Sequence, residues 1–92
     1  MKKFTLNDEI YCFEYNPKAK RKVKISQQAF SKDLYGRQKQ LIVEKLYEMI
    51  SSNPQIDIPK SAKQYIIDYH NGRNKNASHT TNSLGKILYT LL

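Results

Sequence analysis

Cys12, His70 and His79 are the only thiol and imidazole groups in the chain, the side chains most readily tuned for nucleophilic, acid–base or metal chemistry near neutral pH. Their settings do not suit it. Cys12 stands mid-strand among aromatic residues, where a small packed side chain fits better than an activated thiolate. His70 closes a helical pattern, a place where an imidazolium serves the last carbonyls, and His79 falls in a polar loop. A zinc site needs three or four ligands at regular spacing, and the sequence holds neither Cys-x-x-Cys nor His-x-x-x-His. The glycines at 36, 72 and 85 stand alone, so there is no glycine loop to cradle a phosphate. Asn76-Ala77-Ser78 has the form of a glycosylation sequon but comes without a secretory signal, and it reads as chance. The expectation is a protein that is not an enzyme, with no cofactor, no metal and no small-molecule substrate.

The chemistry that remains is electrostatic. Sixteen Lys and Arg against eight Asp and Glu give a formal charge of +8. From Pro17 to Lys39 there are eight cations (Lys18, Lys20, Arg21, Lys22, Lys24, Lys32, Arg37 and Lys39) and one acid, Asp33, a net +7. The other residues hold eight basic and seven acidic side chains and are nearly balanced. Beside a phosphate backbone such a cluster displaces condensed counterions and binds with a steep salt dependence. The plainer alternative is a solvated strand edge, which lysines protect from pairing. Tyr15, Phe30 and Tyr35 interleave the cations, and charge beside aromatic rings suits a flexible or single-stranded nucleic acid. The expected phosphate contacts are Lys18, Lys20, Arg21, Lys22, Lys24, Lys32 and Arg37, with Tyr35, among polar or small neighbours, as the stacking candidate. A second constellation lies at the C-terminus, where the segments 59–72 and 80–92 resemble a helix-turn-helix. Thr81, Asn82, Ser83 and Lys86 would lead its recognition helix, with Asn82 and Lys86 reading DNA. Its connection is longer than that motif uses, and capping accounts for Thr80, Thr81 and Ser83 without DNA.

The elements that must position these residues change period once along the chain. Phe4 and Leu6 alternate before the turn pair Asn7-Asp8, and in the next strand Tyr11, Phe13 and Tyr15 share the face expected to be buried. After the break at Asn16-Pro17, residues 21–26 send Val23 and Ile25 inward and Lys22 and Lys24 outward. Residues 1–26 are thus expected to form a three-stranded antiparallel meander. From 31 to 92 the expectation is helical, with a short turn at 31–35. Ile42, Leu46, Met49 and Ile50 recur at helical spacing within 38–52. Ala62, Tyr65, Ile66 and Tyr69 repeat it after Pro59, and Asn71-Gly72 stops that helix. Leu84, Ile87, Leu88 and Leu91 repeat it again behind a Thr80 or Thr81 cap. This order predicts an α+β fold in which three helices pack on one face of the sheet. The opposite face, or the edge at the third strand, would then be free and basic.

The length of 92 residues fits one domain, 1–92, with a thin core. No apolar run approaches the roughly 18 residues of a membrane span, and the one cysteine makes no internal disulfide, so a cytoplasmic setting is expected. Lys2 and Lys3 open like a signal peptide, but Asn7, Asp8 and Glu9 fall where its apolar region belongs, so the chain reads as a whole small frame beginning at Met1. A single-domain frame rich in Lys, Asn, Ile and Tyr, without a catalytic set and with one-sided charge, resembles the accessory proteins of bacteriophages. Among these it is similar in overall character to small anti-CRISPR proteins directed at type I surveillance complexes. The resemblance implies a bacterial host cell as the cytoplasmic setting, and an inhibitor that lodges in a CRISPR-Cas ribonucleoprotein, touching guide RNA with its basic segment and Cas subunits with its remaining surface, so that target DNA cannot hybridise. Two further readings stay open: a phage or plasmid DNA-binding regulator that uses the last helix, and a protein-only inhibitor that meets an acidic enzyme surface.

Overall fold

The computed structural model describes residues 1–73 and 79–92. The sequon at 76–78, within residues 74–78 between the last two helices, lies outside the described residues. Strands β1 (Lys2–Leu6) and β2 (Glu9–Tyr15) form a hairpin in which Leu6 pairs with Glu9 and Phe4 with Tyr11. Its turn is Asn7-Asp8, with φ of 51° and 67°. A two-residue turn that matches strand twist requires left-handed backbone at both positions, and Asn and Asp tolerate it best after glycine. Strand β3 (Val23–Gln27) pairs with β2, placing Phe13 opposite Ile25 and Tyr15 opposite Val23. Period 2 then puts Phe4, Leu6, Tyr11, Phe13, Val23 and Ile25 on one face, and all six are buried.

Two local expectations need correction. Arg21 and Lys22, expected to open the third strand, belong to the β2–β3 loop. The Asn16 amide donates to the Lys22 carbonyl at 2.8 Å and closes it, and the Asn16 side chain accepts the Lys18 amide at 3.0 Å inside it. The sheet also has a fourth strand, β4 (Lys32–Asp33), beside β3, within the part expected to be helical. Ser31 turns the chain back in left-handed conformation, φ 50°. Two polar residues carry no apolar alternation, so nothing in their pattern announces a strand. The third strand is therefore internal over Ser26 and Gln27, where the short edge strand pairs with it.

Helix α1 (Gln38–Ser52) follows a single turn at Tyr35–Arg37, and α2 (Lys60–His70) and α3 (Thr81–Leu91) complete the chain. Gly72, at φ 73°, ends α2 where the Arg73 amide returns to the Asp68 carbonyl at 2.7 Å. Thr80 caps α3 by accepting the Ser83 amide at 3.1 Å, while its own amide donates to Ser83 Oγ at 3.0 Å. Leu41, Ile42, Val43 and Leu46 from α1, Ala62, Tyr65 and Ile66 from α2, and Leu84 and Leu88 from α3 join the sheet's apolar face in one core. The fold is α+β, an antiparallel sheet with the helices on one side. No described helix is long and apolar enough to cross a membrane. At the rim, Lys45 donates to the Thr5 carbonyl at 2.8 Å on the outer edge of β1.

Helix α3 approaches the sheet closely at Gly85. A Cβ built there would lie 2.7 Å from Cγ2 of Val23 and 3.6 Å from Cδ1 of Ile42. Glycine inside a helix costs about 1 kcal/mol relative to alanine, so its presence marks a packing need. Val23 is β-branched and fully buried, with little freedom to yield. Gly85→Ala should therefore destabilise the protein by about 1–3 kcal/mol through overpacking, against the helix-propensity gain. Urea unfolding measures this, and a stabilised variant would show that α3 can move off β3 without cost.

Candidate nucleic-acid interface

The β2–β3 loop, the turn at Tyr35–Arg37 and the first turn of α3 converge on a cleft of about 770 Å³. Its walls are Lys20, Arg21, Lys22 and Val23 on one side, Tyr35, Gly36, Gln38 and Lys39 on another, and Thr80, Thr81 and Asn82 on the third. The volume lies in the range of about 300–1,000 Å³ typical of ligand sites. Lys20 and Lys22 are exposed, and Lys39 is half-buried. The Lys39 ammonium sits 5.0 Å from the Tyr65 ring centre and 5.6 Å from that of Tyr69. The capping box occupies the amides of Thr80 and Ser83, which leaves those of Thr81 and Asn82 as first-turn donors at the positive end of the helix. Among the described residues no acidic side chain lines the cleft.

Arg21 has a different part from the lysines around it. Its guanidinium makes a two-pronged pair with Asp33 at 2.6 and 2.7 Å, donates to Gln38 Oε1 at 3.2 Å, and lies 4.6 Å from the centre of the Tyr35 ring. Gln38 is the one polar residue in the buried core among the described residues. The basic loop is thereby pinned to β4, to the turn before α1 and to α1 itself. The hydrogen bonds from Arg21 hold the Asp33 carboxyl below the usual carboxylate range, with the Arg21 charge adding to the effect, and Asp33 in turn raises Arg21.

Of the residues expected to meet phosphate, the cleft gathers Lys20, Arg21 and Lys22, together with Tyr35. Lys18 is exposed in the β2–β3 loop, Arg37 in the turn before α1, and Lys32 on β4. Lys24 lies on the far face of the sheet, paired across strands with Glu14 and close enough to Asp33 to lower its pKa. That face also carries Lys3, Thr5, Ile10 and Cys12, so it is mixed and not the basic surface expected of it. Asn82 stands in the cleft wall, whereas Lys86 is exposed on α3 and does not line it. The basic segment and the front of the last helix, rival sites in the sequence, are two walls of one cleft in the fold. Lys39 is the site residue that sequence reasoning missed, although it belongs to the same charge run.

The remaining reactive groups are placed elsewhere. His70, expected to serve its own helix end, stacks on Tyr47 with ring centres 3.7 Å apart, and its Nδ1 is 3.0 Å from Glu44. Cys12 is half-buried in β2. Among the described residues no three His, Cys, Asp or Glu side chains gather as metal ligands.

The Arg21–Asp33 pair has a definite acid signature. A carboxyl whose pKa is lowered by folding contributes stability that is complete above its unfolded pKa, about 3.9, and is lost as pH falls through the folded value. Asp33→Asn should therefore lower stability modestly at neutral pH, since both partners are solvent-accessible, and its difference from wild type should shrink only below about pH 4. Urea titrations across that range check it; a difference that stays constant into strong acid would show that the pairing does not stabilise the fold. No protein-family model, no curated protein and no solved structure matches this chain.

Proposed function

We propose that this protein is a non-enzymatic binder of nucleic acid that acts by occupying a surface, with the cleft between the β2–β3 loop and the start of α3 as its phosphate-binding site. The observation that carries this is the convergence of Lys20, Lys22 and Lys39 with Tyr35 and the N-terminal turn of α3, with no acid among the described lining residues. Cations separated along the chain meet in one concave place, which bulk solubility does not require. In the form that the anti-CRISPR resemblance implies, the ligand is guide RNA in a type I CRISPR-Cas ribonucleoprotein. The cleft takes its phosphates, the remaining surface meets Cas subunits, and target DNA is kept from hybridising.

Charge-matched variants separate a site from a diffuse field. Lys20→Gln with Lys22→Gln and Lys3→Gln with Lys24→Gln each remove two positive charges. Only the first pair should weaken RNA or single-stranded DNA binding, and it should reduce the slope of log K against log salt by about 0.7 for each phosphate that is no longer neutralised. Gly36→Glu should weaken binding too, because Gly36 lines the cleft and a Cβ there meets nothing within 4 Å, so an acidic side chain can be introduced beside the lysines. Equal weakening by the two lysine pairs in filter-binding titrations would defeat the site.

Capture of the tagged protein's partners from a bacterial lysate, with and without nuclease, tests the ribonucleoprotein form. A nuclease-resistant multi-subunit complex containing RNA is the expected result. Recovery of duplex DNA alone would replace it with the regulator, and a partner free of nucleic acid at every salt concentration with the protein-only inhibitor.

A further inference from the structure

Tyr35 is the only exposed tyrosine of the seven, with two-thirds of its surface open (67%). It is nevertheless not loose. The Arg21 guanidinium, 4.6 Å from the ring centre, is itself fixed by two bonds to Asp33 and one to the buried Gln38. The ring therefore has a cationic support tied through α1 to the core. On the chain's other side Gly36 brings no side chain, and the space a Cβ would face is empty to 4 Å. A flat aromatic surface, braced before any ligand arrives, stands in the same cleft as three lysines.

We infer that Tyr35 is a base-stacking platform and that the cleft selects unpaired nucleotides, taking one base on the ring while Lys20, Lys22 and Lys39 take the neighbouring phosphates. This rests on the nucleic-acid reading of the cleft and adds to it the strand state of the ligand. A duplex buries its base faces in its own stack, whereas a single strand presents them, and a π-face is common to every base, so such a platform accepts any sequence. Arg21 acts here as a positioning residue. It holds the ring in place, and the fixed guanidinium lowers the entropy lost when a base docks.

Fluorescence anisotropy with two labelled probes of equal length tests this. One is oligothymidylate and the other an abasic phosphodiester with the same charge. Wild type should bind oligothymidylate about five- to a hundredfold more tightly, the effect of stacking one base. Tyr35→Ala should bring oligothymidylate down to the abasic level without changing abasic binding, and Tyr35→Phe should keep the preference. Equal affinity of wild type for both probes, or a preference that survives Tyr35→Ala, overturns the stacking platform and leaves the phosphate site standing. If neither probe binds, the phosphate site falls and the platform with it.

Discussion

The contact between Gly85 of α3 and Val23 of β3 sets the geometry of the cleft between the β2–β3 loop and the start of α3. Lys22 immediately precedes Val23, and Thr81 lies one helical turn before Gly85. Once helix and strand approach to the distance that only a glycine permits, the basic loop and the capped end of α3 have to be neighbours. The cleft is the space left between them, with Val23 in its lining. The fully buried side chains on either side, Phe13, Ile25 and Ile42 among them, hold this approach rigid because a close-packed interior has no slack to take it up. The cleft and the lysines in its walls thus depend on one of the least adjustable contacts in the core.

Local pattern foretells most of the scaffold. The helix at 38–52 is legible because its apolar positions recur at the helical period, and the Asn7-Asp8 turn because those residues accept left-handed backbone. Gly72 and Thr80 mark helix ends by their own chemistry. The site is legible only in part, since charge can be counted along a sequence but its neutralisation cannot. Asp33 looks like a lone acid in a basic run, yet it takes up Arg21 at a separation of twelve residues. Lys24 looks equivalent to Lys22, yet strand pairing sets it opposite Glu14. The partnership of the loop with α3 joins residues far apart in the chain, and no local signal announces it.

The cationic segment divides into two kinds of charge. Arg21 is structural, a planar fork that meets a carboxylate, an amide oxygen and an aromatic ring at once, which a lysine could not do. Lys20 and Lys22 are compact, exposed charges, the kind that the proposed phosphate site requires. One orders the loop that presents the others, so the free positive charge in the cleft and the order of its wall rest on separate side chains.

The treatment of the sheet's edges limits how any partner can be met. β4 ends after two residues, and on β1 the Lys45 ammonium occupies the Thr5 carbonyl, one of the acceptors that an incoming strand would use. Extension of the sheet by another chain is blocked at that point on one side and has almost no template on the other. A partner would then be met chiefly through side chains and helix ends, and side chains can change by surface substitution while the backbone stays as it is.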